Sequence, residues 1–424
     1  MQRRRIALLL LCFLLLSLSI SMVPTTVHAD GFPIIAVLPN EGQSPEAIAV
    51  DTETHMVYIA YEAPGMIVGF DPVSGKVRWH AGFGSLVTDV QVDSATHYVY
   101  VASNNFSGQL ASTEQSTTVL AILDGKTGKE LYATSMPITT NGIADNSIAI
   151  DTQRQQVYMA GDQHGLVYVF NVTTTANGTT SSTLSTLLVG PHPAAVGVNS
   201  HLGHLYVADS AEHKMTVIDE DTGATVAIIQ ICNDPVPPVR VDEVTGRVYV
   251  VCSAGQALDV INGNTNKVIA NIPVTPYPEG VAFNSATGRI YVADEGNQDN
   301  GSSNDNEGTT ITVIDGQTFQ VLGTLAVGRG PDGVEADPQL RRIYVATEDS
   351  NAMVEVSDSV DLPLQTNTPQ IQANAIRQAV HLLQQATVVT LILMLLTIVG
   401  AAISVLVLHR QRDATLLRSS SRAR

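Results

Sequence analysis

"GHLYVADSAEHKMTVID" (residues 203–219) and "GRIYVADEGNQDNGSSNDNEGTTITVID" (residues 288–315) decide the fold. Both open on a glycine turn, run through an apolar stretch centred on Tyr, and close on Val-Ile-Asp. Alternating β-branched and aromatic residues between turn residues read as strands. In length the two stretches differ only between the strands. Tyr206 lies 13 residues before Asp219, whereas Tyr291 lies 24 residues before Asp315. One hairpin has therefore been lengthened by a polar, acidic insert.

Working outward, the same unit recurs seven times. Its tyrosines are Tyr58, Tyr100, Tyr158, Tyr206, Tyr249, Tyr291 and Tyr344. Seven residues before each stands an Asp or Asn: Asp51, Asp93, Asp151, Asn199, Asp242, Asn284 and Asp337. Chance does not hold one offset seven times. A third strand ends at Asp71, Asp124, Asn171, Asp219, Asn262 and Asp315, and a fourth follows, as in "VIANIPV" (268–274) and "VLGTLAV" (321–327). Helical periodicity is absent until about Ile371.

Four short strands per unit, repeated every 40–50 residues or so, predict an all-β, seven-bladed β-propeller over residues 33–358. The seventh unit has only three strands before its pattern ends. "PIIAVLP" (33–39) resembles the fourth strand of the other units. It is expected to complete blade seven and close the ring, hiding edges that an open sheet would expose.

The repeats resemble the YVTN family of β-propellers, found in secreted and surface-layer proteins of bacteria and archaea. The resemblance rests on Tyr206-Val207-Ala208-Asp209 with Val217-Ile218-Asp219, and on Tyr291-Val292-Ala293-Asp294 with Val313-Ile314-Asp315. Blades two and three depart most, with "YVASNN" and "YMAGDQ". The resemblance implies a scaffold, not one activity. Related propellers include lactonases and quinoprotein dehydrogenases.

The ends predict a location. Arg3–Arg5, an apolar run over 6–20 and Val27-His28-Ala29 have the layout of a secretory signal peptide, residues 1–29. Cys12 lies inside the apolar run, not at its end as in a lipoprotein. Residues 386–408 are apolar and uncharged, long enough for a transmembrane helix. Residues 409–424 form a basic tail, expected in the cytoplasm. Between blade seven and the membrane, 359–385 reads as a stalk and juxtamembrane helix. The expectation is a single-pass cell-membrane protein with an extracytoplasmic propeller. "LPLQT" (362–366) is not a sortase motif.

Net charge is −18 for the chain; with the leader's +3 and the tail's +4 set aside, residues 30–408 carry −25. Such a body repels phosphate backbones, so no nucleic-acid partner is expected. Outside the leader the only cysteines are Cys232 and Cys252, an even pair that suits a disulfide outside the cytoplasm. Spacing alone does not settle whether they are bonded.

In a propeller the first strands line the channel. If the face where they begin is called the top, the loops between second and third strands also rise there. The insert of blade six and "SNNFSGQLASTEQSTT" (103–118) of blade two then stand on nearly opposite sides of that face. Loops on a rigid scaffold often bind, and long surface insertions also cost little stability. The chain is expected to leave blade seven at the bottom, which turns the top away from the membrane.

Candidate sites follow from this placement. Glu46, Asp89, Asp145, Glu279 and Asp332 start first strands, where carboxylates would attract Ca²⁺ or a cationic ligand; turn chemistry explains the same residues. Gln91, Arg240 and Glu335 lie two residues before their marker Asp or Asn, inside the channel, where an Arg240–Glu335 contact or plain packing would place them. His164, His192 and His213 fall on top loops, with Asp162 and Asp209 nearby, and would hold a metal only if they converge. His55 and His97 read as ordinary bottom-turn residues. The blade-six insert carries Glu295, Asp299, Asp305 and Glu307 but fails the EF-hand spacing, so a solvated loop or a looser Ca²⁺ loop remains. Sequons stand at Asn105, Asn171, Asn177 and Asn300. No Gly-x-Ser-x-Gly elbow, Cys-His pair or His-Glu-x-x-His helix occurs, and no cofactor is expected.

Two functional classes remain. One is a surface-anchored binding or scaffold propeller whose top face meets an extracytoplasmic protein, a polysaccharide or an envelope layer. The other is an enzyme, lactonase-like or quinoprotein-like. A funnel with a metal, or with three or more converging polar side chains, favours the enzyme; a broad, shallow face favours binding. An envelope protein without a small ligand is a third, structural reading.

Overall fold

The computed structural model describes residues 34–359 apart from 40, 85, 106–116, 138–146, 161–164, 175–179, 276 and 297–306. The leader, the stalk beyond Ser359, the apolar run 386–408 and the basic tail lie outside these, as do Asp145 and His164. Among the described residues no helix is long and apolar enough to cross a membrane. All described residues belong to one unit, Met1–Pro363.

Seven four-stranded antiparallel sheets follow one another along the chain. Blades one to six take their strands from 43–82, 86–137, 147–188, 193–230, 235–273 and 278–326. Blade seven combines three strands of 331–357 with Ile34–Pro39, which pairs with Ala352–Ser357 as its outer strand. The N-terminal strand thus completes the last blade, as the sequence predicts. Each blade's first strand touches the first strands of both neighbours, so the seven form a closed inner circle.

The marker Asp or Asn explains itself in the turn that follows it. Asp51 Oδ1 accepts from the amides of Glu53 and Thr54, and Asp337 Oδ1 from those of Gln339 and Leu340. Asn199, Asp242 and Asn284 act alike. The residue four places after the marker always has positive φ: His55, His97, Gln155, Gly203, Gly246, Gly288 and Arg341. Glycine occupies three of these places because it adopts that conformation without strain. Asp and Asn are selected at the marker because a short side-chain acceptor caps two amides that the strand ladder cannot reach.

Among the described residues the core is divided. Seven apolar clusters lie one between each pair of adjacent blades, and the repeat tyrosines are buried within them or beside them. Inner strands are apolar on both faces for this reason. The outer strands differ: Lys267–Pro273 alternates exposed and covered residues, because one of its sides faces solvent.

The long connections of blades two and six begin as raised ribbons. In blade four the second and third strands separate beyond Asp209–Lys214. In blade six the ladder continues past Asp294–Thr310 to Gly296–Glu307, and in blade two it reaches Asn105–Thr117. The loop tips, with Asp299, Asp305, Asn300 and the middle of the blade-two loop, lie outside the described residues.

Candidate functional site: a carboxylate funnel at the top of the channel

Each described acid at the start of a first strand sits where the ladder slips. Register shifts fall between Pro45 and Ile48, Val87 and Asp89, Pro278 and Val281, and Pro331 and Val334. These intervals hold Glu46, Asp89, Glu279 and Asp332. A bulge adds a residue to one strand and re-aims its side chains. Here all four acids line one cavity of about 230 Å³ at the top of the channel. Glycine after two of them permits the crowding. A Cβ on Gly280 would lie 2.2 Å from the Asp332 carbonyl oxygen, and one on Gly333 would lie 2.1 Å from that of Glu46.

Two further acids, Glu295 and Glu348, complete the lining. The sequence reading places Glu295 only in the insert and passes over Glu348. Their signal is an offset: each stands four residues after a repeat tyrosine, in "YVADE" and "YVATE". That position ends a second strand on the top face and turns into the funnel.

The channel set does meet. Arg240 Nη2 lies 2.5 Å from Glu335 Oε2, and Arg240 Nη1 donates to Gln91 Oε1 at 3.1 Å. Gln91 Nε2 in turn donates to Asp89 Oδ1 at 3.1 Å, and the Ile148 amide to Asp89 Oδ2 at 2.7 Å. One arginine from blade five therefore ties blades two and seven beneath the funnel. Arg240 is paired with Glu335, and its charge also acts on Asp89 above it.

Electrostatics follow. Burial raises Asp89 to about 6, against the pull of the Ile148 amide and Arg240. Burial, then the repulsion of Glu279, Glu348 and Asp349, raises Glu295 to about 8. Asp332 is raised well above the usual carboxylate range by burial and by Glu295, Glu46, Glu279 and Glu348. Like charges gathered in a partly closed space cannot all ionise.

The histidine set is different. His192 is held through its backbone amide, which donates to Asp209 Oδ2 at 2.9 Å. His213 Nδ1 accepts from the Asp234 amide at 3.3 Å. Among the described residues no group of three or more His, Cys, Asp or Glu is spaced to hold a metal ion. Asp209, one of the acids near the histidines, is taken up in capping His192 and Glu212. Cys232 and Cys252 are joined by a disulfide that closes a separation of 20 residues.

His55 and His97 are not ordinary turn residues. His55 Nδ1 lies 2.8 Å from Asp337 Oδ2, across the seam between blades one and seven, and His97 Nδ1 lies 2.8 Å from Asp51 Oδ2. Each latches its blade onto the marker Asp of the blade before it. Spacing within one repeat gives no sign of a partner in the next.

Comparison with known proteins shows the fold and one repeat. The NHL repeat family matches residues 275–298. No curated protein matches the sequence. Among solved structures, the Cps50 (Swd1) β-propeller domain of Myceliophteria thermophila superposes with a TM-score of 0.60 at 10% identity, over 77% of this chain and 99% of that one. A chain of the mitotic checkpoint complex superposes with a TM-score of 0.59 at 11% identity, over 76% and 91%. At these identities the likeness concerns architecture alone. The chain is a seven-bladed β-propeller with a segment in blade six that matches the NHL repeat.

Proposed function

We propose that this protein is a cell-surface, membrane-anchored propeller that acts as a binding or scaffold module through its membrane-distal top face. One observation carries the reading: six carboxylates from blades one, two, six and seven converge on one funnel. Such a funnel suits a positively charged guest, an amine presented by a protein or polysaccharide partner. The last strand of blade seven, Ala352–Ser357, ends on the face opposite the funnel. The YVTN-like repeats support a surface-layer setting.

The purified, detergent-solubilised full chain tests this. Thermal unfolding is followed against spermidine, with CaCl₂ as a contrast, for wild type and for the Glu279→Gln/Asp332→Asn double variant. A saturable upward shift with spermidine in wild type that the variant loses supports the reading. No shift with spermidine removes it.

The same convergence also meets the condition set for an enzyme. Carboxyl groups held protonated near neutral pH would serve as general acids in a lactonase-like hydrolysis. Lactone hydrolysis by wild type that the double variant lacks would favour that second reading.

A further inference from the structure

We propose that the Cys232–Cys252 disulfide is a redox latch that sets the blade-five wall of the funnel. The wall is Val236, Pro237 and Pro238, and Arg240 follows on the same strand, Pro235–Asp242. Cys232 lies three residues before that strand begins. Cys252 ends the neighbouring strand, Arg247–Cys252, and sits opposite Pro235 in the ladder. The bond therefore fixes the top of the wall to its neighbour.

Below the bond the wall is weakly held. Pairing with the neighbour runs through Pro235 and Val236, lapses, and resumes at Arg240. Pro237 and Pro238, within the lapse, have no amide hydrogen to donate. The loop before the wall is secured by the Cys232 amide on Asp259 Oδ2 and by the Ser253 amide on the Asp234 carbonyl. The segment that shapes the funnel is thus bounded by a covalent tie at its top and by the Arg240 network at its foot. Removing the covalent tie leaves the wall's top on hydrogen bonds alone, those two and the Gly255 amide on the Asn233 carbonyl, while the foot stays anchored.

The chemistry is a thiol–disulfide exchange with a dithiol as reductant. A thiolate of the dithiol attacks the half-buried Cys232 sulfur and the bond to buried Cys252 breaks. Cys252 leaves as a thiolate and takes up a proton. The second thiol then attacks the mixed disulfide and releases the Cys232 thiol. The cystine gains two electrons and two protons, and the dithiol becomes a disulfide.

The test does not depend on any funnel ligand, so its failure is separable from failure of the binding reading. Amide hydrogen exchange is followed by mass spectrometry on the full chain, oxidised and after treatment with dithiothreitol, and on the Cys232→Ser/Cys252→Ser variant. The expected result is exchange about tenfold faster at Val236 and Val239, with Arg240 and blades one to three unchanged. The variant, if it folds, should match the reduced wild type. Faster exchange throughout the ring would make the bond a general stabiliser and overturn the proposal. Unchanged exchange at the wall after verified reduction would also overturn it.

Discussion

Arg240 and Glu335 meet across the channel at 2.5 Å, joining blade five to blade seven, and Gln91 of blade two accepts from the same guanidinium. Three strands far apart in sequence are thus tied at one point below the funnel. Both side chains of the pair are about one-fifth exposed, at 20% and 17%. Removing one partner strands the other in a poorly solvated place. Arg240→Met should cost roughly 1–3 kcal/mol in urea unfolding, less than a fully buried pair because water still reaches it. Arg240→Met combined with Glu335→Leu should recover most of that loss. Full additivity of the two losses would disprove the coupling.

Protons in the funnel should show in the pH profile. Glu295 is raised to about 8 in the folded protein, and an unfolded glutamate titrates near its ordinary value. Below that ordinary value both states hold the proton and no difference arises. As pH climbs from there to about 8, the unfolded chain releases its proton first, so folding stability falls. Glu295→Gln should therefore leave stability unchanged near pH 4 and raise it by about 1–2 kcal/mol above pH 8. Melting curves across that range would reveal a flat difference if the carboxyl were ordinary.

Asp294, beside Glu295, offers a second titration. Burial raises it to about 7, against the pull of the Thr275, Thr312 and Thr310 hydroxyls, with Thr312 at 2.9 Å and Thr310 at 3.1 Å. Its counterpart in blade four, Asp209, instead accepts two backbone amides, from His192 and Glu212. Asp294→Asn should stabilise the protein above pH 7, while Asp209→Asn should destabilise it by about 1 kcal/mol. Equal effects at the two sites would contradict the distinction.

Ring closure should depend on the His55–Asp337 latch more than the equivalent blade-one to blade-two contact does. At the seam the chain passes from Ile34–Pro39 of blade seven into Gln43–Val50 of blade one, and that strand is held to the rest of its blade by pairing with Ala352–Ser357, so the latch reinforces a non-covalent joint. Asp337 is fully buried and already caps two amides, so His55→Ala leaves one carboxylate oxygen without its partner. The cost should be about 1–3 kcal/mol. Amide exchange should rise first over 34–39 and 352–357. His97→Ala should leave those amides unchanged.

Deleting 34–39 should be more severe. It exposes the edge of Ala352–Ser357, and an unpaired apolar edge invites association. The expected outcome is loss of monomer in size-exclusion chromatography at a concentration where the full chain remains dispersed.

Much of this fold was legible because its determinants are local. The seven Asp/Asn–Tyr offsets specify a capped turn and a buried strand centre, and both depend on residues within ten positions of one another. The missing fourth strand of the last unit and the orphan strand at 33–39 likewise followed from counting. The acids at the starts of first strands could be named for the same reason, since Pro-Glu-Gly and Pro-Asp-Gly mark a bulge as well as a turn. Only tertiary structure decided what those residues do together. Glu295 and Glu348 join the funnel because second strands end beside the first strands of their blades. Arg240 finds Gln91 and Glu335 because the ring brings three blades to one axis, and His55 finds Asp337 because the ring closes. Each contact spans from about 100 to nearly 300 residues of chain. Spacing within one repeat holds no record of what the next blade presents, and the curvature that closes seven sheets into a circle supplies it.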